Sequence, residues 1–127
     1  MTASLHELHG IRVLECSPAG PLLRTEKDAL DVIQEALSQR APWIAIPMHR
    51  LDPGFFELRT RIAGEVLQKF VNYQRKVAIL GDFTELAANS ESLRALIYES
   101  NRGDAIWFLP DLAALETRLE PGSRPDH

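Results

Sequence analysis

The chain has 127 residues, enough for one domain with a full core and too few for two. Hydrophobic residues make up 45% and charged residues 25% of it, within the ordinary range of a globular protein. A formal charge of −4 gives no net positive field to offset phosphate, so the balance argues against a nucleic-acid partner.

Cys16 is the single cysteine, so no disulfide can form within the chain. The start, MTASLHELHG, lacks the basic and apolar regions of a signal peptide, and no apolar run approaches the roughly 20 residues of a membrane span. The expectation is a soluble, cytoplasmic domain over residues 9–120, with flexible termini at 1–8 and 121–127. The closing PGSRPDH has two prolines, a glycine and no apolar anchor.

In chain order, Ile11, Val13 and Leu14 read as a first strand. Ser17-Pro18-Ala19-Gly20-Pro21 then supplies a turn before a short second strand at 22–24, which together predict a hairpin. Thr25 and Asp28 have capping-box spacing, and Ala29, Leu30, Ile33, Ala36 and Leu37 keep a helical period over 26–39. Ala41-Pro42 ends that helix. The apolar run from Trp43 to Ile46 reads as a strand covered on both faces.

Asp52-Pro53-Gly54 makes a turn, and a helix of about 20 residues is predicted after it, roughly 30 Å long. Val77 to Leu80 is the next buried strand, closed by Gly81-Asp82. Asn89 or Ser90 caps a helix carrying Leu93, Leu96 and Ile97, with Gly103 placed to end it. Residues 105–109 form the last strand, and Pro110-Asp111 opens a final helix. The order β-β-α-β-α-β-α-β-α predicts an α/β domain with a mixed, mostly parallel sheet of about five strands. That order of elements resembles the anti-sigma-factor-antagonist, or STAS, fold, and topology alone implies no activity.

The segment FFELRTRIAGEVLQKFVNYQRKVAILGDF, with the later YESNRG and AIWFLPD, carries a more specific likeness. It resembles the bacterial family called domain of unknown function 4180, whose pattern reads close to FFDL-T-G-AGE-LQKF-NY-KLAI-GDF followed by ESN-G. The resemblance covers about residues 9 to 118. The chain departs from the pattern at Arg61, where a glycine is expected.

On a helical projection, Leu58, Ile62, Ala63, Val66, Leu67 and Phe70 share an apolar sector. Arg61, Glu65, Gln68, Lys69 and Asn72 gather opposite, with Glu65 and Lys69 spaced for an i,i+4 ion pair. Arg59 falls inside the apolar sector. In an open parallel sheet, ligands sit beyond the carboxyl ends of the strands. His49, Arg50, Phe55, Phe56, Arg59, Thr60 and Asp82 belong to that edge and are the candidates for binding a ligand or partner. The plainer alternative for Asp82 is turn or cap chemistry. Asn72, Tyr73, Glu99 and Asn101 fall at helix ends on the opposite edge, where a structural clasp on the 72–76 turn is expected.

His6-x-x-His9 has metal-ligand spacing but lies in a terminus expected to be loose, so no metal is expected. Cys16 reads as a small buried residue. No phosphate loop, nucleophile elbow or other motif fixes a reaction, and no cofactor is implied.

Two functions follow. The first is a non-catalytic regulatory or protein-interaction module. STAS domains commonly dock partners through the start of the helix after the third strand, often at a phosphorylatable hydroxyl. Thr60 is the only hydroxyl in HRLDPGFFELRT, and it falls inside the predicted helix, which argues against such a switch. The second is a small enzyme or anion-binding protein using His49, Arg59 and Asp82, which leaves a small anion as a possible ligand. Self-association through the polar helix face or an edge strand is a third route. Neither a nucleic acid nor a membrane is expected as a partner.

Overall fold

The computed structural model describes residues 3–121. One five-stranded sheet runs in the order β1 (Ala3–Leu8), β2 (Ile11–Cys16), β3 (Trp43–Pro47), β4 (Lys76–Leu80), β5 (Ile106–Leu109). Only β1 is antiparallel to its neighbour. The expected mixed, mostly parallel α/β sheet is therefore present.

The hairpin lies one element earlier than its sequence signals suggested. Residues 3–8, expected to be a loose terminus, form β1 and pair with β2 across His9-Gly10. Both turn residues have positive φ, 54° and 81°, the geometry of a type I′ hairpin. Asn-Gly or Asp-Gly would have announced that turn, whereas His-Gly did not. Residues 22–24, read as the second hairpin strand, instead make a single parallel bridge from Leu23 to Leu51 at the carboxyl edge. The closing tail from residue 122 lies outside the described residues.

Helices α1 (Glu26–Ser38), α2 (Ile62–Asn72) and α4 (Glu91–Arg102) cover one face of the sheet, as successive right-handed crossovers require. Ala29, Ile33 and Ala36 of α1, Ala63, Val66 and Phe70 of α2, and Leu93 of α4 pack there onto Leu14, Ile44, Ile46, Val77 and Ile79. A short α3 (Thr84–Ala88) precedes α4. Helix α5 (Leu112–Leu119) covers the other face, setting Leu115 and Leu119 against Trp43, Ala45, Ala78 and Trp107. The Trp43 and Trp107 rings lie 4.6 Å apart, and the Arg118 guanidinium stacks 4.0 Å over Trp107.

The capping box on α1 is present: Thr25 Oγ1 accepts from Asp28 N–H, and the Asp28 carboxylate accepts from Thr25 and Arg24 N–H. Burial alone would raise the Asp28 pKa. The two backbone donors and the Thr25 hydroxyl outweigh it and hold the carboxyl below its ordinary value. Ser90 and Asp111 cap α4 and α5 through Leu93 and Ala114 N–H.

The predicted 20-residue helix is broken. Pro53–Phe56 and Leu58–Thr60 are short 3-10 turns, and α2 begins only after Arg61. A continuous helix would drive the Arg59 guanidinium into the apolar sector. The break lets it leave, and its side chain is 89% exposed. Arg61 makes the corner at φ 67°, ψ 4°, the left-handed conformation that glycine adopts without a Cβ penalty. The departure from the family pattern thus falls on a backbone position that favours the expected glycine.

Candidate functional site

The carboxyl ends of β2, β3 and β4 open into three long connections, and concavities form between them. Asp52 opens the central connection by accepting Gly54 N–H through Oδ2, while its Oδ1 accepts Arg24 Nε–H at 3.1 Å. Thr60 closes it: its hydroxyl lies within bonding distance of the Gly54 and Glu57 carbonyls and takes Ile62 N–H at 3.3 Å. Thr60 is therefore spent on the turn that starts α2, a role set by the Gly54-to-Thr60 spacing.

Arg50 is the one charged side chain classed as buried among the described residues, at 6% exposure. Its Nε–H donates to the Pro21 carbonyl at 2.6 Å and its Nη1–H to the Ser17 carbonyl at 2.7 Å. The guanidinium is a pillar under the 17–21 loop. Gly20 lies flat against it, so that a Cβ there would stand 2.6 Å from the Arg50 Cζ. A cavity of about 170 Å³ beside the pillar is lined by Cys16, Val32, Asp31, Glu35 and Arg50, among others. Burial pushes the Cys16 thiol up to about 11, against a smaller opposing pull from Arg50, so it stays protonated and poorly nucleophilic at neutral pH.

A larger groove, about 660 Å³, runs between the Met48–Glu57 connection and the α3–α4 junction. Met48, Leu51 and Phe56 form its apolar floor, Leu22 and Leu86 its exposed apolar walls, and His49, Glu57, Asn89 and Ser90 add polar groups. Gly81 makes room for the Met48 side chain, since a Cβ at that position would sit 2.2 Å from Met48 Sδ. A third concavity of about 500 Å³ is lined by Asp82, Phe83, Thr84, Ile97 and Phe108. Phe83 links the two, packing edge-on to Phe108 at 5.3 Å and lying 6.1 Å from Phe56.

The candidates named from the sequence are thus dispersed rather than gathered. His49 lines the large groove and Asp82 lines the third concavity. Arg59 points to solvent with Glu57 as its nearest carboxylate, 3.7 Å away. Phe55 is fully buried and pairs edge-on with Phe56 at 5.2 Å, so it supports the groove without facing it. Asp82 accepts Thr84 N–H at 3.0 Å, and the Thr84 hydroxyl and amide hold its carboxyl below its usual value. That is an Asx turn leading into α3, whose N-cap position is Phe83, so turn chemistry, the plainer reading, describes it. Leu22, Leu51 and Leu86 were missed. Nothing in their residue type points to chemistry, and Leu86 lies within α3.

Of the clasp candidates at the opposite edge, Asn101 makes structural bonds, but to another segment. Asn101 bonds not to the 72–76 turn but to β5, giving its amide N–H to the Phe108 carbonyl and taking Phe108 N–H. Asn72 only accepts from Gln68 on its own helix, and Tyr73 and Glu99 are exposed. Arg75 ties the turn instead, donating Nη1–H to the Ala41 carbonyl at 3.0 Å. Lys69 pairs with Glu26 of α1 at 3.5 Å, where an ion pair with Glu65 was expected.

No grouping of three or more His, Cys, Asp or Glu suited to a metal occurs among the described residues; His6 lies 2.8 Å from Glu15 Oε1 instead. No described helix is long and apolar enough to cross a membrane. No curated protein and no solved structure matches the chain. The family model titled domain of unknown function (DUF4180) matches residues 8–119, nearly the full length, and the chain belongs to that family.

Proposed function

We propose that this domain is a non-catalytic protein-interaction module that receives a segment of a partner protein in the 660 Å³ groove at the carboxyl edge. The observation that carries the reading is the groove's construction: an apolar floor of Met48, Leu51 and Phe56 between two solvent-facing leucines, Leu22 and Leu86. Exposed apolar walls around a buried aromatic floor suit an inserted side chain, with the polar groups at the rim setting orientation. A small enzyme working through His49, Arg59 and Asp82 has less support, because those side chains serve separate places. A small anion at Arg50 meets Asp31 and Glu35 lining the same cavity, and two guanidinium nitrogens are already bonded to carbonyls.

The test places a photo-crosslinking residue at Leu86 and compares it with the same protein carrying Leu22→Glu. A discrete adduct that disappears on Leu22→Glu, with unchanged circular dichroism, is the expected result. An adduct unaffected by Leu22→Glu, or no discrete adduct, overturns the reading.

A further inference from the structure

The two edges of the sheet are treated differently. On β5, the outward-facing N–H and C=O of Phe108 are both taken by the Asn101 side-chain amide, which imitates a neighbouring strand. Arg118 in turn holds the Asn101 carbonyl. On β1, β2 is the only strand partner among the described residues. In a two-residue hairpin the flanking pair, here Leu8 and Ile11, exchanges both of its hydrogen bonds. Alternation then turns the backbone groups of His6 and Ser4 toward β2, and those of Ala3, Leu5 and Glu7 away from it. The strand carries no proline or lysine to block addition, and Leu5 is 43% exposed.

We infer that β1 pairs antiparallel with β1 of a second copy about a two-fold axis through Leu5, joining two sheets into one of ten strands. In this register Leu5 faces Leu5 of the second copy, and Ala3 faces its Glu7. Each such pair exchanges two bonds, about six across the seam. Residues directly opposite share a face, so Leu14, Leu5, and Leu5 and Leu14 of the second copy form one apolar row under the helices. No two like charges stand directly opposite. A second copy fits better than a foreign strand because the sequence completes its own apolar row. The two-fold pairing uses both β1 edges, and Asn101 occupies the outward groups of Phe108 on β5, so growth stops at two. The contact is smaller than the roughly 1,200 Å² of standard interfaces, so half-association is expected at roughly 10–500 µM.

Sedimentation of the full chain across that range is expected to show mass rising from one copy to two and no further. Leu5→Lys and Leu5→Pro should remain single at every concentration with unchanged circular dichroism. Proline is tolerated because the Leu5 N–H faces away from β2. Leu5→Cys should form an intermolecular disulfide under mild oxidation, and Glu7→Cys, whose own counterpart lies four residues out of register, should not. A wild type that stays single throughout, assembly beyond two, dimers unaffected by both Leu5 variants, or equal crosslinking at 5 and 7 would each overturn the inference.

Discussion

The carboxyl and amino ends of the parallel strands are built by different means. At the amino end the connections are short and their backbone closes on itself. After α1, Ala41 N–H bonds to the Ala36 carbonyl and Arg40 N–H to that of Leu37. After α2, Arg75 N–H bonds to Phe70 and Gln74 N–H to Val71. Both are Schellman motifs, with Arg40 and Gln74 in the left-handed position that glycine usually takes. Lys76 N–H then reaches the Pro42 carbonyl, and Arg75 joins the two motifs through Ala41. At the carboxyl end the connections are long, and side chains hold them: Arg50 the 17–21 loop, Asp52 and Thr60 the turns before α2, Asp82 the start of α3. Backbone closure ties the two turns to each other with little help from side chains. Side-chain closure leaves loops that stand apart and enclose a groove.

The contrast can be broken most severely at Arg50. Arg50→Met keeps bulk but strips the Pro21 and Ser17 carbonyls of their donors, and is expected to cost about 2–4 kcal/mol in urea unfolding. Gly20→Ala pushes against the same guanidinium and should cost about 1–3 kcal/mol. A neutral Gly20→Ala would mean that Arg50 is no fixed pillar. Arg75→Ala, the corresponding change at the amino end, removes one bond between turns that already close themselves, and should cost about 1 kcal/mol. The smallest effect has the opposite sign. Arg61→Gly relieves a left-handed residue and is expected to stabilise by about 0.5–1 kcal/mol, read as a rise in melting temperature.

Cys16 gives a chemical check on the same end. Its thiol titrates near 11 when folded and lower when unfolded, so folding opposes deprotonation and stability falls as pH rises through that window. Iodoacetamide at pH 8 should therefore label the native protein far more slowly than the protein in denaturant.

The layered fold was legible because period and capping agreed along α1, α4 and α5, and because the buried strands are continuous apolar runs. The hairpin was displaced because His9-Gly10 is an uncommon pair for two positive-φ residues, while the proline-rich 17–21 loop carries stronger turn signals. The broken helix was hidden for a related reason. Residues 55–72 keep a helical period through the corner, and only Arg59 on the wrong face and Arg61 in place of glycine betrayed it. Topology directed attention to the carboxyl edge, and the groove found there depends on which side chains the turns consume. Thr60 and Asp82 attract notice as functional groups, and both are used to close backbone. The leucines that line the groove have no chemistry to advertise.

The proposed division between a recognition end and a structural end is tested most directly by partner capture with Leu86→Glu and Arg75→Ala, compared at a temperature where both remain folded. Leu86→Glu is expected to lose the captured partner while keeping wild-type melting, and Arg75→Ala to melt earlier while capturing as wild type does. Capture retained by Leu86→Glu, or lost by folded Arg75→Ala, would contradict it.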